Sequence, residues 1–214
     1  SANDEVSVCA SWYTSGIKTF DDARTKELTI GGTGPSDDTV QFPRVLNAVL
    51  GTKFNIISGY PGGNDVLLAM ERGEVQGRCG WSWSSAKIAH RAWIDEKKIN
   101  LLIQLSLAKH PDLPNVPLIT DLATSEEQVQ IIKLIFGRQV MGRPFLAPPG
   151  VPADRVEALR RAFMDTMNDR EFLADAQSSQ FEITPVSGER VQKLVEEIYR
   201  TPSEIGRKAA AILQ

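Results

Sequence analysis

Apolar residues recur along this chain in two rhythms, and the rhythms alternate. Short β-branched or alternating runs, "EVSVCASWY", "ELTIGG", "KFNIIS" and "NLLIQLSL", predict strands near residues 5–13, 27–32, 53–58 and 100–107. Between them lie segments with helical spacing. "KTFDDARTKE" predicts a short polar helix, and "TVQFPRVLNAVLG" repeats apolar residues at Phe42, Leu46, Val49 and Leu50, with Gly51 as its stop. Pro43 fits the first turn of that helix, because deeper in it would delete a backbone bond. "NDVLLAMERGE" turns Val66, Leu67 and Met70 inward, and a further helix spans about Ser84 to Asp95. The run "KFNIIS" reads as a buried strand.

The last third is helical. "SEEQVQIIKLIFG" opens on a capping box of Ser125 with Gln128. Val156, Leu159, Phe163 and Met167 share one face, as do Val191, Leu194, Val195 and Ile198. The final helix begins with Thr201 as cap, Pro202 in its first position and Glu204 closing the box. "QFEITPV" reads as a lone strand between helices. The proline-rich "KHPDLPNVPLITDLA" has no period and wraps the surface, and "GRPFLAPPGVPADR" is the best crossing between two lobes. Alternating strands and helices define an α/β fold.

Bulk composition narrows the function by exclusion. The 214 residues carry a formal net charge of −3 with scattered lysines and arginines, so there is no nucleic-acid footprint. No apolar run approaches a membrane span, so the chain is not membrane-embedded. Cys9 and Cys79 form no CxxC and have no histidine at metal-ligand spacing; they read as two buried free thiols, with a disulfide as the alternative in an oxidising compartment. There is no GxSxG elbow, no HExxH and no zinc-type cluster, and His90 and His110 read as packing residues. No enzyme chemistry, cofactor or metal is expected.

The glycine-rich stretch "GYPGGNDVLLAMERGEVQGRCGW" raises the question of a ligand cradle, since unpaired N–H groups at a helix start attract anions. A phosphate loop would place Lys-Ser or Lys-Thr after the glycines, and Asn64-Asp65 stands there instead.

Four segments in order, "ELTIGGTGPSDDTVQFPRVLNAVLG", "GYPGGNDVLLAMERGEV", "HPDLPNVPLITDLA" and "PFLAPPGVPADRVEALRRAFMDTMNDREFLADAQ", resemble the TctC-like or Bug-type substrate-binding proteins of tripartite tricarboxylate transporters. The resemblance runs from about Val6 to Leu213. It implies a type II periplasmic-binding-protein-like architecture, two α/β lobes joined by crossover strands, with the first lobe incomplete here. Residues 17–137 would form the middle lobe, and residues 1–16 and 138–214 what remains of lobe one. It implies a periplasmic receptor that hands a small organic acid to a membrane permease.

On that pattern the loop Gly31, Thr33, Gly34 and Ser36 would donate hydrogen bonds to a ligand carboxylate. Asp37 and Asp38 depart from it, because carboxylates beside a bound anion cost affinity unless they cap a helix or hold a cation. Tyr60 and Gly62 would face the cleft. Arg78 would pair with a carboxylate, Ser84 would sit at a helix start, and Trp81 would wall the ligand. Arg143 reads as one partner of a hinge-side salt bridge. The competing reading is an effector-sensing domain of a LysR-type regulator, which shares the two-lobe plan, or an orphan binding protein with an altered ligand class.

Overall fold

The computed structural model describes residues Ser1–Gln214. One five-stranded sheet organises the chain, built from β1 (Ser7–Trp12), β2 (Leu28–Gly32), β3 (Phe54–Ser58), β4 (Gly77–Ser82) and β5 (Ile99–Leu105) in the order β3-β2-β4-β1-β5. β2 runs parallel to β3 and β4, whereas β1 is antiparallel to both β4 and β5. β1 thus threads between two strands that both run opposite to it.

Helices cover both faces, as a mostly parallel sheet requires. On one face α1 (Phe20–Thr25), α2 (Asp38–Leu50), α6 (Glu126–Phe136) and α10 (Ser203–Leu213) bury a core with Phe42, Leu46, Ile132, Phe136 and Ala209 against Leu28, Ile30 and Leu102. On the other, α3 (Gly63–Glu71), α4 (Trp83–Ala89) and α5 (Arg91–Asp95) pack Val66, Met70, Trp83 and Trp93 on Val8, Ala10 and Trp81. The aromatic residues interlock: Trp93 sits edge-on to Trp12 with centroids 4.8 Å apart.

Three further helices, α7 (Ala153–Met167), α8 (Arg170–Ser178) and α9 (Gly188–Tyr199), follow an irregular stretch at 142–152. Their apolar stripes are only partly covered. Met167 and Leu194 are buried, but Leu159, Phe145, Leu146 and Phe181 are exposed. α10, by contrast, belongs to the main core through Ile205 and Ala209.

The structure corrects several local expectations. Cys9 and Cys79 are not free thiols: they form a disulfide with Cα atoms 3.9 Å apart. Their strands are antiparallel neighbours, and a register shift between Val8 and Ala10 carries Cys9 over Cys79. "KFNIIS" is an edge strand, with Ile57 44% exposed, because β3 has a neighbour on one side only. The helix predicted over 84–95 breaks at His90 into α4 and α5.

Pro43 stands in the second turn of α2, since the helix starts at Asp38. Pro202, not Thr201, is the N-cap of α10, and no side chain bonds there. Residues 181–187 form no strand, although Thr184 and Val186 donate backbone bonds to Ala2 and Ser1. The proline-rich loop is partly internal: Leu113, Leu118 and Ile119 are buried, and Leu118 bridges to Gln104 at the β5 edge.

Candidate functional site

The sheet order defines one crevice. α2 leads from β2 to β3 on one side, while β4 lies on the other side of β2 and leads on toward β5. Connections diverge between β2 and β4, and open α/β sheets bind ligands outside the carboxyl ends of strands at such a switch point. The segments meeting there are 31–38, 59–63 and 78–84. Gly80 lets them close up. Its φ is +64°, and a Cβ on it would lie 2.7 Å from the carbonyl oxygen of Asp38, so only glycine fits between β4 and the first turn of α2.

Arg78 lies opposite Gly31 in the β2–β4 register, level with the end of β2. Its Nη1 donates to the carbonyl of Gly63 at 2.9 Å, and its guanidinium stands 5.6 Å from the centre of the Trp81 ring. No carboxylate pairs with it, and its buried Nε has no partner. Burial pulls its pKa down to about 10. Gly63 is the first residue of α3, whose N-cap Gly62 supplies no side-chain bond. A half-buried cation therefore sits beside the positive end of a helix dipole. Both features favour an anion at that spot.

The loop after β2 is differently disposed. Thr33 Oγ1 and the Gly34 N–H both donate to Asp37 Oδ2, at 2.5 and 2.8 Å. These bonds, from Thr33 first and Gly34 next, hold the Asp37 carboxyl below the ordinary range. The Thr33 N–H goes to Thr39 Oγ1 at 3.0 Å. Asp38 is paired with Arg138, which also stacks on Phe42 at 5.0 Å. Burial nevertheless lifts the Asp38 pKa, outweighing that pairing.

The remaining expected residues are placed as follows. Gly31 is buried, with Val66 and the Tyr60 ring packed on it. Ser36 is exposed at the loop tip. Tyr60 and Gly62 flank the start of α3. Trp81 is core, edge-on to His90 at 5.4 Å. Ser84 Oγ meets Ser82 Oγ at 2.9 Å and reaches Glu5 Oε2 at 3.5 Å. Burial raises the Glu5 carboxyl above its usual value, against the bonds from Ser82 and Val6. Arg143 makes no salt bridge: it is exposed, and its charge acts on Glu5 only at longer range.

A second polar cluster escaped sequence reasoning. Lys87 donates to Asp112 at 2.7 Å and to Glu182 at 3.0 Å, while His110 Nε2 meets Glu182 at 2.7 Å. The Asp112 N–H donates to His110 Nδ1 at 3.1 Å, so the proton is on Nε2 and points at the carboxylate. No sequence spacing signals a cluster drawn from residues 87, 110, 112 and 182. A cavity of about 410 Å³ opens beside it, and another of about 320 Å³ lies by Phe20 and Leu122; neither touches the crevice. The charged groups lining these volumes are paired, whereas the crevice holds the unpaired guanidinium of Arg78.

No family model matches the chain, and no curated protein matches its sequence. Solved structures do. An R. palustris protein solved with adipate superposes with TM-score 0.59 at 14% identity, over 98% of this chain and 70% of its own. A TctC solute binding protein from Polaromonas, without ligand, gives 0.64 at 14% identity, over 99% and 65%. The periplasmic binding protein BugD gives 0.55 at 14% identity, over 98% and 69%. The chain therefore has the α/β fold of TctC- and Bug-type periplasmic binding proteins, and spans about 65–70% of their length. No helix is long and apolar enough to cross a membrane.

Proposed function

We propose that this protein is an extracytoplasmic solute-binding receptor, not an enzyme, and that it captures a small organic acid for the permease of a tripartite tricarboxylate-type transporter. The observation that carries the reading is Arg78, a half-buried guanidinium with a buried, unpaired Nε at the uncapped start of α3. A carboxylate there would satisfy the guanidinium, gain from the helix dipole and restore a charge balance that the unliganded protein lacks. That one fold neighbour was solved with adipate supports the ligand class. The disulfide between Cys9 and Cys79 suits an oxidising compartment.

In this reading residues 17–137, with β1 as crossover strand, make the middle lobe. Helices α7–α9 carry a second lobe, and Leu159 on α7, Phe181 between α8 and α9 and Phe145 on the stretch before them are the apolar surface that lobe would bury. Closing the lobes over Arg78 would complete the site.

The test is thermal unfolding against a panel of carboxylic acids. A ligand at a hundred times its dissociation constant adds about 2.7 kcal/mol, a rise of several degrees. A shift by at least one acid, absent with the matching amides, supports the receptor. No shift across the panel would contradict it.

A further inference from the structure

The loop expected to receive an anion already holds one. Thr33 Oγ1 and the Gly34 N–H are the donors a ligand carboxylate would use, and both are spent on Asp37 Oδ2. The third donor, the Thr33 N–H, is spent on Thr39. Neighbouring Asp38 is neutralised by Arg138, but Asp37 is in no ion pair, so its charge stays at the mouth of the loop. A ligand carboxylate arriving here would have to displace a carboxylate whose attachment costs no association entropy. Left in place, that charge would repel it.

A second observation lies on the adjoining strand, across the switch point. Arg78 offers a guanidinium with a buried, unpartnered Nε and no carboxylate of the chain to meet it. One end of the crevice thus lacks an anion and the other already contains one.

We propose that Asp37 is a specificity-determining residue, a built-in carboxylate that fills the anion seat of the loop. The ligand then brings a single carboxylate, to Arg78, and presents a non-anionic end to Thr33–Asp37. This rests on the receptor reading above and narrows its ligand class to monocarboxylic acids. Dicarboxylic acids of the same length are rejected by repulsion from Asp37, a contrast with the adipate-bound neighbour.

Calorimetric titration of the intact protein compares butanoate and hexanoate with succinate and adipate, in the wild type, Asp37→Asn and Asp37→Ser. Asparagine keeps the acceptor oxygen and removes the charge, whereas serine empties the seat. The wild type is expected to bind each monoacid at least about fivefold tighter than its diacid, the scale of one like-charge contact at about 4 Å screened as in bulk water. Either variant should raise diacid affinity about five- to tenfold relative to the monoacid of the same length, and a circular dichroism spectrum matching the wild type's shows that the fold is intact. Equal binding of monoacid and diacid by the wild type overturns the inference alone, as does an unchanged ratio in both variants. If no acid binds the wild type, the receptor reading falls and the inference with it.

Discussion

Arg78 and Gly63 are joined across the crevice, the guanidinium Nη1 donating to the carbonyl oxygen at 2.9 Å. The contact holds the charge under the first turn of α3, where a helix offers positive potential. A Cβ on Gly63 would fall 2.4 Å from Nη2, so a side chain there would push the guanidinium off the helix start. Charge and helix end are mutually unfavourable until an anion joins them.

That relationship gives an uncommon stability prediction. Replacing a half-buried, unpaired charge by an apolar side chain of similar volume removes its desolvation penalty and is neutral or stabilising. Arg78→Met should therefore raise the unfolding free energy by about 1 kcal/mol, or leave it unchanged, in urea titration without ligand. A loss of about 2 kcal/mol or more would assign Arg78 a packing role instead.

The Lys87–Glu182–His110 cluster predicts acid sensitivity. Burial pushes the Glu182 carboxyl up, but the bonds from Lys87 and His110 and the nearby Lys87 charge more than offset it, and the group is held below its usual value. A carboxyl lowered in the folded state stabilises the fold above its unfolded pKa, near 4.5, and that contribution fades as pH falls through the lower folded value. Glu182→Gln should cost about 1 kcal/mol at pH 7 and flatten the decline in stability below about pH 4.5. An unchanged acid limb in denaturant titrations would remove Glu182 from the account. Because residues 181–187 bond to the N-terminal residues, the same variant should increase amide exchange at Thr184 and Val186.

The Cys9–Cys79 bridge closes a loop with a sequence separation of 70. Removing such a cross-link restores chain entropy to the unfolded state, worth about 4 kcal/mol at this loop length. Cys9→Ala with Cys79→Ala should lower stability by about that amount. Thiol titration in denaturant should find no free thiol before reduction and two after it. Two thiols before reduction would return both residues to simple packing.

Gly80→Ala tests how tightly the crevice is closed. The new Cβ would need a left-handed backbone and would press on the first turn of α2. We expect a loss of about 2 kcal/mol, measured by thermal unfolding. A neutral result would mean that the two segments part easily.

Local pattern carried the elements whose cause is local. α2 was legible from Phe42, Leu46 and Val49 and from Gly51, which takes the left-handed cap at φ +71°. Ser125 could be read as a cap, and its side chain does accept from Gln128, although the return bond of Gln128 goes to Thr124. What depended on sheet order was not legible. Nothing near Cys9 says that β4 lies beside it, and Ile57 looks buried until β3 is found at an edge. In the candidate site, Arg78 and Asp37 were both singled out, but their opposite surroundings were not visible. Asp37 turns back onto Gly34 through three-dimensional loop geometry, and Arg78 is unpaired only because the folded chain brings no carboxylate to it.

The most direct measurement is calorimetric titration of one carboxylic acid, chosen as the strongest stabiliser of the panel, into the wild type and Arg78→Met. Loss of a desolvated charge-assisted pair weakens binding by about 2 kcal/mol or more, at least about thirtyfold in dissociation constant. The account predicts that loss together with an undiminished melting temperature for the unliganded variant. Equal dissociation constants in the two proteins would contradict it, because the carboxylate would then be held somewhere other than Arg78.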